Sequence, residues 1–469
     1  MSQPPPYGPP PPRPSLSQFS HSGITKTGKG PGRRTVWITG LVILLVLAAG
    51  GAYALWGRPG GGTSPETAGS AAAPGSLVWK KTPSTAPSKN SRNAWGTWFT
   101  QTTVVKAEPD TVTSYDIRTG ERKWSLILPG TQCAASRDID ADRVLIALRY
   151  TDACDAMTVI DIRQGKTLWT QPIVLLKADD PEMDNFRPDK WPADMEVSVS
   201  QGHGLISWAT GAHIVRLSDG QLVGDTGKQD ACNDVGTAGG AQLLTQRFCG
   251  KRATLRSQNL KSLAKANWQW DGPEDQTISD ILSTKPVVLL MSDAAGKNFG
   301  KPTQLIVLGD TDGKERTRIP LQHDHEVSYC TSSMSRCAEY LVAGDVVYVA
   351  GKGSTTAYDL STGRERWTFK ADENRLALPV SADDREVGIY VAATPEREGK
   401  LIRVTTRTGK EIRTTDNSPD LRTTEYQLAH SKSAVPYLAE GRLLVVNEGL
   451  LESQDNDEIV AIGARTGRG

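Results

Sequence analysis

Residues 357–367 read AYDLSTGRERW. Apolar and polar positions alternate up to Asp359 and Leu360, a turn follows at Ser361-Thr362-Gly363, and a second short strand ends in Trp367. In such a turn glycine supplies the positive φ, while Asp and Thr side chains accept hydrogen bonds from the turn amides. Residues 114–124 (SYDIRTGERKW) and 160–169 (IDIRQGKTLW) repeat the form. Weaker copies centre on Gly220, Gly313, Gly409 and Gly467, and a degenerate copy carries Leu263 where the glycine belongs. The intervals between reference positions are 45, 55, 43, 50, 50, 46 and 58, so eight copies account for residues 77–469. Further alternating or apolar strands precede each turn, such as 345–350 (DVVYVA) and 143–148 (RVLIAL). Three to four short strands per unit of this length are the pattern of propeller blades.

Two details refine the expectation. The last copy stops at Thr466-Gly467, before its tryptophan strand, and an orphan strand of that kind, SLVWK at 76–80, precedes the first copy. The N-terminal strand is therefore expected to complete the final blade and close the ring, which removes an open sheet edge. Trp79, Trp124, Trp169 and Trp367 are expected to pack blade against blade. Together these readings predict an all-β fold, an eight-bladed β-propeller closed by an N-terminal strand and preceded by a single transmembrane helix.

The motif A-x-D-x-x-T-G-x-x-x-W, complete at Ala357 to Trp367, resembles the repeat of the quinoprotein (PQQ-like) propellers. That family holds quinoprotein dehydrogenases, assembly lipoproteins and sensor domains tethered by one membrane helix. The resemblance implies the fold and does not choose among these roles. A quinoprotein dehydrogenase would carry two adjacent cysteines against the quinone and Glu, Asn and Asp on a calcium ion. No Cys-Cys pair occurs here, and Cys330 and Cys337 are the nearest two. No catalytic or cofactor-binding residue is assigned and no cofactor is expected; PQQ and calcium belong to the alternative reading, a quinoprotein oxidoreductase.

The N-terminal region is of a different kind. Residues 1–35 hold eight prolines before position 15, and Lys26, Lys29, Arg33 and Arg34 lie close ahead of the segment that follows. They are expected to be a disordered cytoplasmic tail able to offer polyproline segments to a partner. Residues 36–56, VWITGLVILLVLAAGGAYALW, carry no charge over 21 positions. As a helix they span about 30 Å, the hydrocarbon thickness, with Trp37, Tyr53 and Trp56 near its two ends. The basic residues ahead of the span place the tail in the cytoplasm and the remainder outside. A signal peptide cleaved near Ala52-Tyr53-Ala54, or a twin-arginine signal at Arg33-Arg34, are the competing readings. Residues 57–76 read as a flexible linker.

All six cysteines lie beyond the apolar span, which suits disulfides in an oxidising compartment. Cys133 and Cys154 fall before Gly165 much as Cys232 and Cys249 fall before Leu263, so the expected pairs are Cys133–Cys154 and Cys232–Cys249, leaving Cys330–Cys337.

Lys and Arg number 54 against 53 Asp and Glu, a formal charge of +1. That balance offers nothing to a nucleic-acid backbone. With glycine included the apolar share is about 48%, the ordinary globular range, which excludes collagen, coiled coil and wholly disordered chains. His323-Asp324-His325-Glu326 and the acidic run at 179–184 are read as solvated loops, Asp455-Asn456-Asp457-Glu458 as a hairpin turn, and His203 and His213 as residues without functional partners. The stretches 177–195 and 411–440 are expected to be surface insertions that carry recognition. The expected partners are the cell membrane and an extracytoplasmic protein, peptide or envelope ligand, bound without catalysis.

Overall fold

Each repeat folds as a four-stranded antiparallel meander, because turns of a few residues separate its strands and allow only hairpin connections. The computed structural model describes residues 75–83, 92–150, 153–173, 195–208, 211–225, 232–260, 265–294, 300–321, 336–371, 374–429, 434–450 and 457–463. The chain divides into units 1–70 and 71–469, and every described residue lies in the second. The tail and the apolar segment 36–56 lie outside the described residues. Among the described residues no helix is long and apolar enough to cross a membrane.

Eight four-stranded sheets are present among the described residues. We number them as blades 1 to 8, whose first strands are Thr97–Phe99, Thr131–Ala135, Glu196–Ser200, Cys232–Ala238, Gln276–Thr284, Tyr340–Ala343, Ala377–Ala382 and Ala434–Ala439. From blade 2 onward, each first strand contacts that of the next blade and so lies towards the centre. The all-β propeller of eight blades is thus the observed architecture. Ser76–Lys81 pairs antiparallel with Ile459–Gly463 and supplies the outer strand of blade 8. The ring closes as the orphan strand implied, from Ser76, one residue before the expected boundary.

The three strongest repeats share one turn chemistry. The Asp359 carboxylate accepts the amides of Ser361 at 3.0 Å and Thr362 at 2.8 Å. Asp116 and Asp161 do the same in their own turns. Each turn then receives the outer strand of the preceding blade. Trp79 of blade 8 donates its indole N–H to the Ile117 carbonyl of blade 1 at 2.9 Å. Trp169 reaches Leu217 and Trp367 reaches Thr406, both at 2.9 Å. Trp124 lies under Gly165 of blade 2. A fifth residue of this kind, Trp268, donates to Asp310 at 2.8 Å and lies under Gly313. It was overlooked because its own repeat lacks the glycine.

Gly165 shows why the turn needs glycine. Its φ is +66°, and a Cβ there would stand 2.4 Å from the Trp124 ring. Gly165→Ala should therefore lose about 1–3 kcal/mol from backbone strain, plus the cost of displacing the indole. Gly441→Ala is the control, since Gly441 has φ +69° but nothing within 4 Å of the added carbon. Urea denaturation of both variants should show the larger loss at Gly165; equal losses would mean the tryptophan stack contributes nothing.

Central strands are rich in apolar residues because both faces are covered. In blade 2, Val144, Ile146 and Leu148 pack on Val105 and Ala107 of blade 1, while Leu145 and Ala147 face Val197 and Val199 of blade 3.

Two expectations need correction. Residues 411–440 are not one insertion: Glu411–Asp416 is the outer strand of blade 7 and Ala434–Ala439 the inner strand of blade 8. Between them the helix Arg422–Ala429 is held by buried Glu425, which accepts hydrogen bonds from Tyr390 at 2.7 Å and Asn417 at 3.1 Å. Nor are Asp457 and Glu458 solvated turn residues. Asp457 pairs with Lys80 of the closing strand at 3.1 Å, and Glu458 is fully buried. Among the described residues its carboxylate has no hydrogen-bond partner, and it faces a buried cluster of Lys106, Glu108 and Glu448 at the seam of blades 8 and 1. Lys106 donates to the carbonyls of Ala107, at 2.8 Å, and Ala94. Burial pushes Glu458 up to about 8 against the pull of Lys106. Burial also lowers Lys106, opposed by the three carboxylates. The acidic stretch from 179 and the His323–His325 pair lie outside the described residues.

Candidate functional site

First strands of a propeller present alternate side chains to the central space, and bulges in them re-aim single residues. Blade 5 uses two such bulges. The register of Gln276–Thr284 shifts between Ile278 and Asp280 and again between Ile281 and Ser283, which sets Asp280 and Leu282 towards the centre. Around them a cavity of about 580 Å³ is walled by the first strands of blades 1, 5, 6 and 8 and by the residues that follow those of blades 2 and 4.

The polar groups divide into a closed set and an open one. Arg137, after the first strand of blade 2, reaches across to blade 5. It donates to the Ile281 carbonyl at 2.8 Å and faces Asp280 at 3.5 Å. Burial works against this guanidinium, but Asp280 and Asp138 outweigh it and hold its pKa above the usual value. Asp138 accepts the Gly239 amide of blade 4 at 3.2 Å. Asp280 also lies 3.0 Å from the Cys337 sulfur, and burial raises its carboxyl above the ordinary range despite Arg137.

Arg336 is the open member. Among the described residues its guanidinium reaches only the Pro379 carbonyl, at 3.4 Å, and the face of the Tyr437 ring, at 5.7 Å. Burial lowers its pKa, and among the described residues no carboxylate offsets that. Beside it Tyr340 is buried, its hydroxyl without a hydrogen-bond partner among the described residues and raised by burial. Tyr437 stacks at 4.9 Å on Phe99, and Trp98, Leu282, Leu341 and Val342 complete an apolar wall. Formally, Arg137, Lys285 and Arg336 stand against Asp138 and Asp280.

The cavity does not fit calcium. Its two carboxylates are already used by Arg137 and the Gly239 amide, and no group of three metal-ligating side chains is assembled among the described residues. The sequence readings did not locate these residues. Arg336 and Arg137 stand outside the repeat motif, and only the ring brings them together.

The structure joins Cys133 to Cys154. Cys249 and Cys337 are also disulfide-bonded, and Cys249 lies opposite Cys232 across the first ladder of blade 4. The Cys232 side chain and Cys330 lie outside the described residues. His213 is buried edge-on to Trp208, with ring centroids 4.9 Å apart, away from the cavity lining.

The family model described as outer membrane protein assembly factor BamB matches residues 42–187 and 294–468. No curated protein matches the chain. Among solved structures, BamB from Moraxella catarrhalis is 14% identical, with 81% of this chain and 98% of that one covered and a TM-score of 0.44. The dihydro-heme d1 dehydrogenase NirN in complex with DHE is 13% identical, with 81% of each chain covered and a TM-score of 0.46. A europium-containing methanol dehydrogenase is 11% identical, with 81% and 79% covered and a TM-score of 0.37.

Proposed function

This chain belongs to the BamB family of PQQ-like repeat propellers, and from that premise we propose that it is a membrane-tethered, extracytoplasmic propeller that binds an envelope protein or peptide ligand without catalysis. The observation that carries the reading is the central cavity. It offers one guanidinium that no carboxylate among the described residues neutralises and an apolar wall, and its acids are engaged in holding the blades together. Such a site holds and orients a ligand. The residues that would have to bind calcium for quinone chemistry are tied up in this framework. The apolar segment 36–56 supplies the tether in this reading, and the proline-rich tail gives a cytoplasmic partner access to the same chain.

The test has two parts. On intact cells expressing the full chain, added protease should remove the propeller while residues 1–35 stay protected; the reverse pattern overturns the topology. The purified full chain, supplied with pyrroloquinoline quinone and calcium, should show no dye-linked oxidation of alcohols or aldoses. Turnover that saturates in both would make it a quinoprotein oxidoreductase and overturn the binding reading.

A further inference from the structure

We propose that the cavity recognises a carboxylate carried on an apolar body, with Arg336 the charge that reads it. This rests on the binding reading above and adds the ligand's chemistry. A guanidinium in a partly desolvated wall without a counter-ion is costly, and an entering anion removes that cost while forming charge-assisted hydrogen bonds. Arg137 cannot serve, because Asp280 and the Ile281 carbonyl already hold it. Among the described residues Arg336 has only a long contact to Pro379 and the Tyr437 ring. The Tyr437 ring lies 5.7 Å from the guanidinium carbon, and a guanidinium's fork of N–H donors is the geometry a carboxylate matches in a bidentate contact. Tyr340 adds a hydroxyl that nothing among the described residues satisfies. Phe99, Trp98, Leu282, Leu341 and Val342 then offer an apolar surface to whatever carries the carboxylate.

Two sources share this chemistry, a small organic acid and the C-terminus of a peptide that ends in an apolar residue. The experiment separates them. The purified full chain is titrated, with fluorescence of Trp98 and the other tryptophans as the readout, against 3-phenylpropionate, acetyl-Ala-Ala-Phe with a free carboxylate, and the same peptide amidated. The free acids should bind at least about tenfold more tightly than the amide, the equivalent of one charge-assisted contact. Arg336→Gln should abolish that preference, and Arg336→Lys should restore part of it, with unchanged urea midpoints showing that both variants fold. Tight binding of the small acid names the first source, and binding of the free peptide alone names the second; either supports the proposal. Equal affinity for acid and amide, or a preference that survives Arg336→Gln, overturns the carboxylate assignment and leaves the binding reading intact. If none of the three probes binds, the assignment also falls, whereas quinone turnover is what would defeat the binding reading.

Discussion

Trp79→Ala should convert a closed ring into a protein that associates through an open edge. The indole is 7% exposed, packs beneath the Gly120 turn of blade 1, and donates to Ile117. Truncating a buried tryptophan costs about 3–5 kcal/mol. Trp367→Ala removes an equivalent residue, also 7% exposed and bonded to Thr406, and should cost about the same. The consequences should nevertheless differ. Blades 6 and 7 stay joined by continuous chain, whereas blades 8 and 1 are joined at this seam by the strand Ser76–Lys81. Loosening that strand bares the edge of Ile459–Gly463, four of whose five residues are buried, and such an edge pairs with other chains. Size-exclusion chromatography across a concentration series in mild urea should therefore show association for Trp79→Ala and a monomer profile for Trp367→Ala. If the two variants behave alike, the N-terminal strand is not the closing element that the register indicates.

Lys106→Met should be the second large loss, about 3–5 kcal/mol, because it strands buried acids rather than removing a contact. Lys106 is fully buried, and its charge is set against Glu458, Glu448 and Glu108, which are 0–2% exposed. Among the described residues Glu458 has no hydrogen bond to fall back on. Adding Glu458→Leu to Lys106→Met should recover part of the loss, so the double variant should be more stable than the sum of the single changes. Guanidinium denaturation of the four proteins measures this coupling. Simple additivity would show that the lysine and the glutamate do not sense each other across the seam.

What could be read from the residues was whatever is local. The Asp-x-x-Thr-Gly-x-x-x-Trp unit completes its own turn within nine positions, so Asp359, Gly363 and Trp367 carry their geometry with them. Repetition then told that each tryptophan meets an equivalent neighbour, and the unmatched strand at 76–80 told where the ring closes. The same reliance on local form concealed Trp268, whose repeat has Leu263 in place of glycine although its partner turn at Gly313 is intact. The cysteine pair Cys133 and Cys154 was legible because both lie in one blade, 21 positions apart.

The rest required the closed ring. Asp457 and Glu458 have the composition of a hairpin turn, and only the arrival of Lys80 and Lys106, more than 350 positions away, turns them into seam residues. Arg137 and Asp280 meet from blades 2 and 5, and Arg336 is left unneutralised because no carboxylate among the described residues converges on it. The sequence by itself thus determined the blade, the number of blades and the manner of closure, since each follows from hydrogen bonding and side-chain alternation over a few consecutive residues. Only the tertiary structure decided which charges are satisfied at the centre. Burial and electrostatic pairing depend on which distant groups the ring brings within a few ångströms, and no local pattern encodes that.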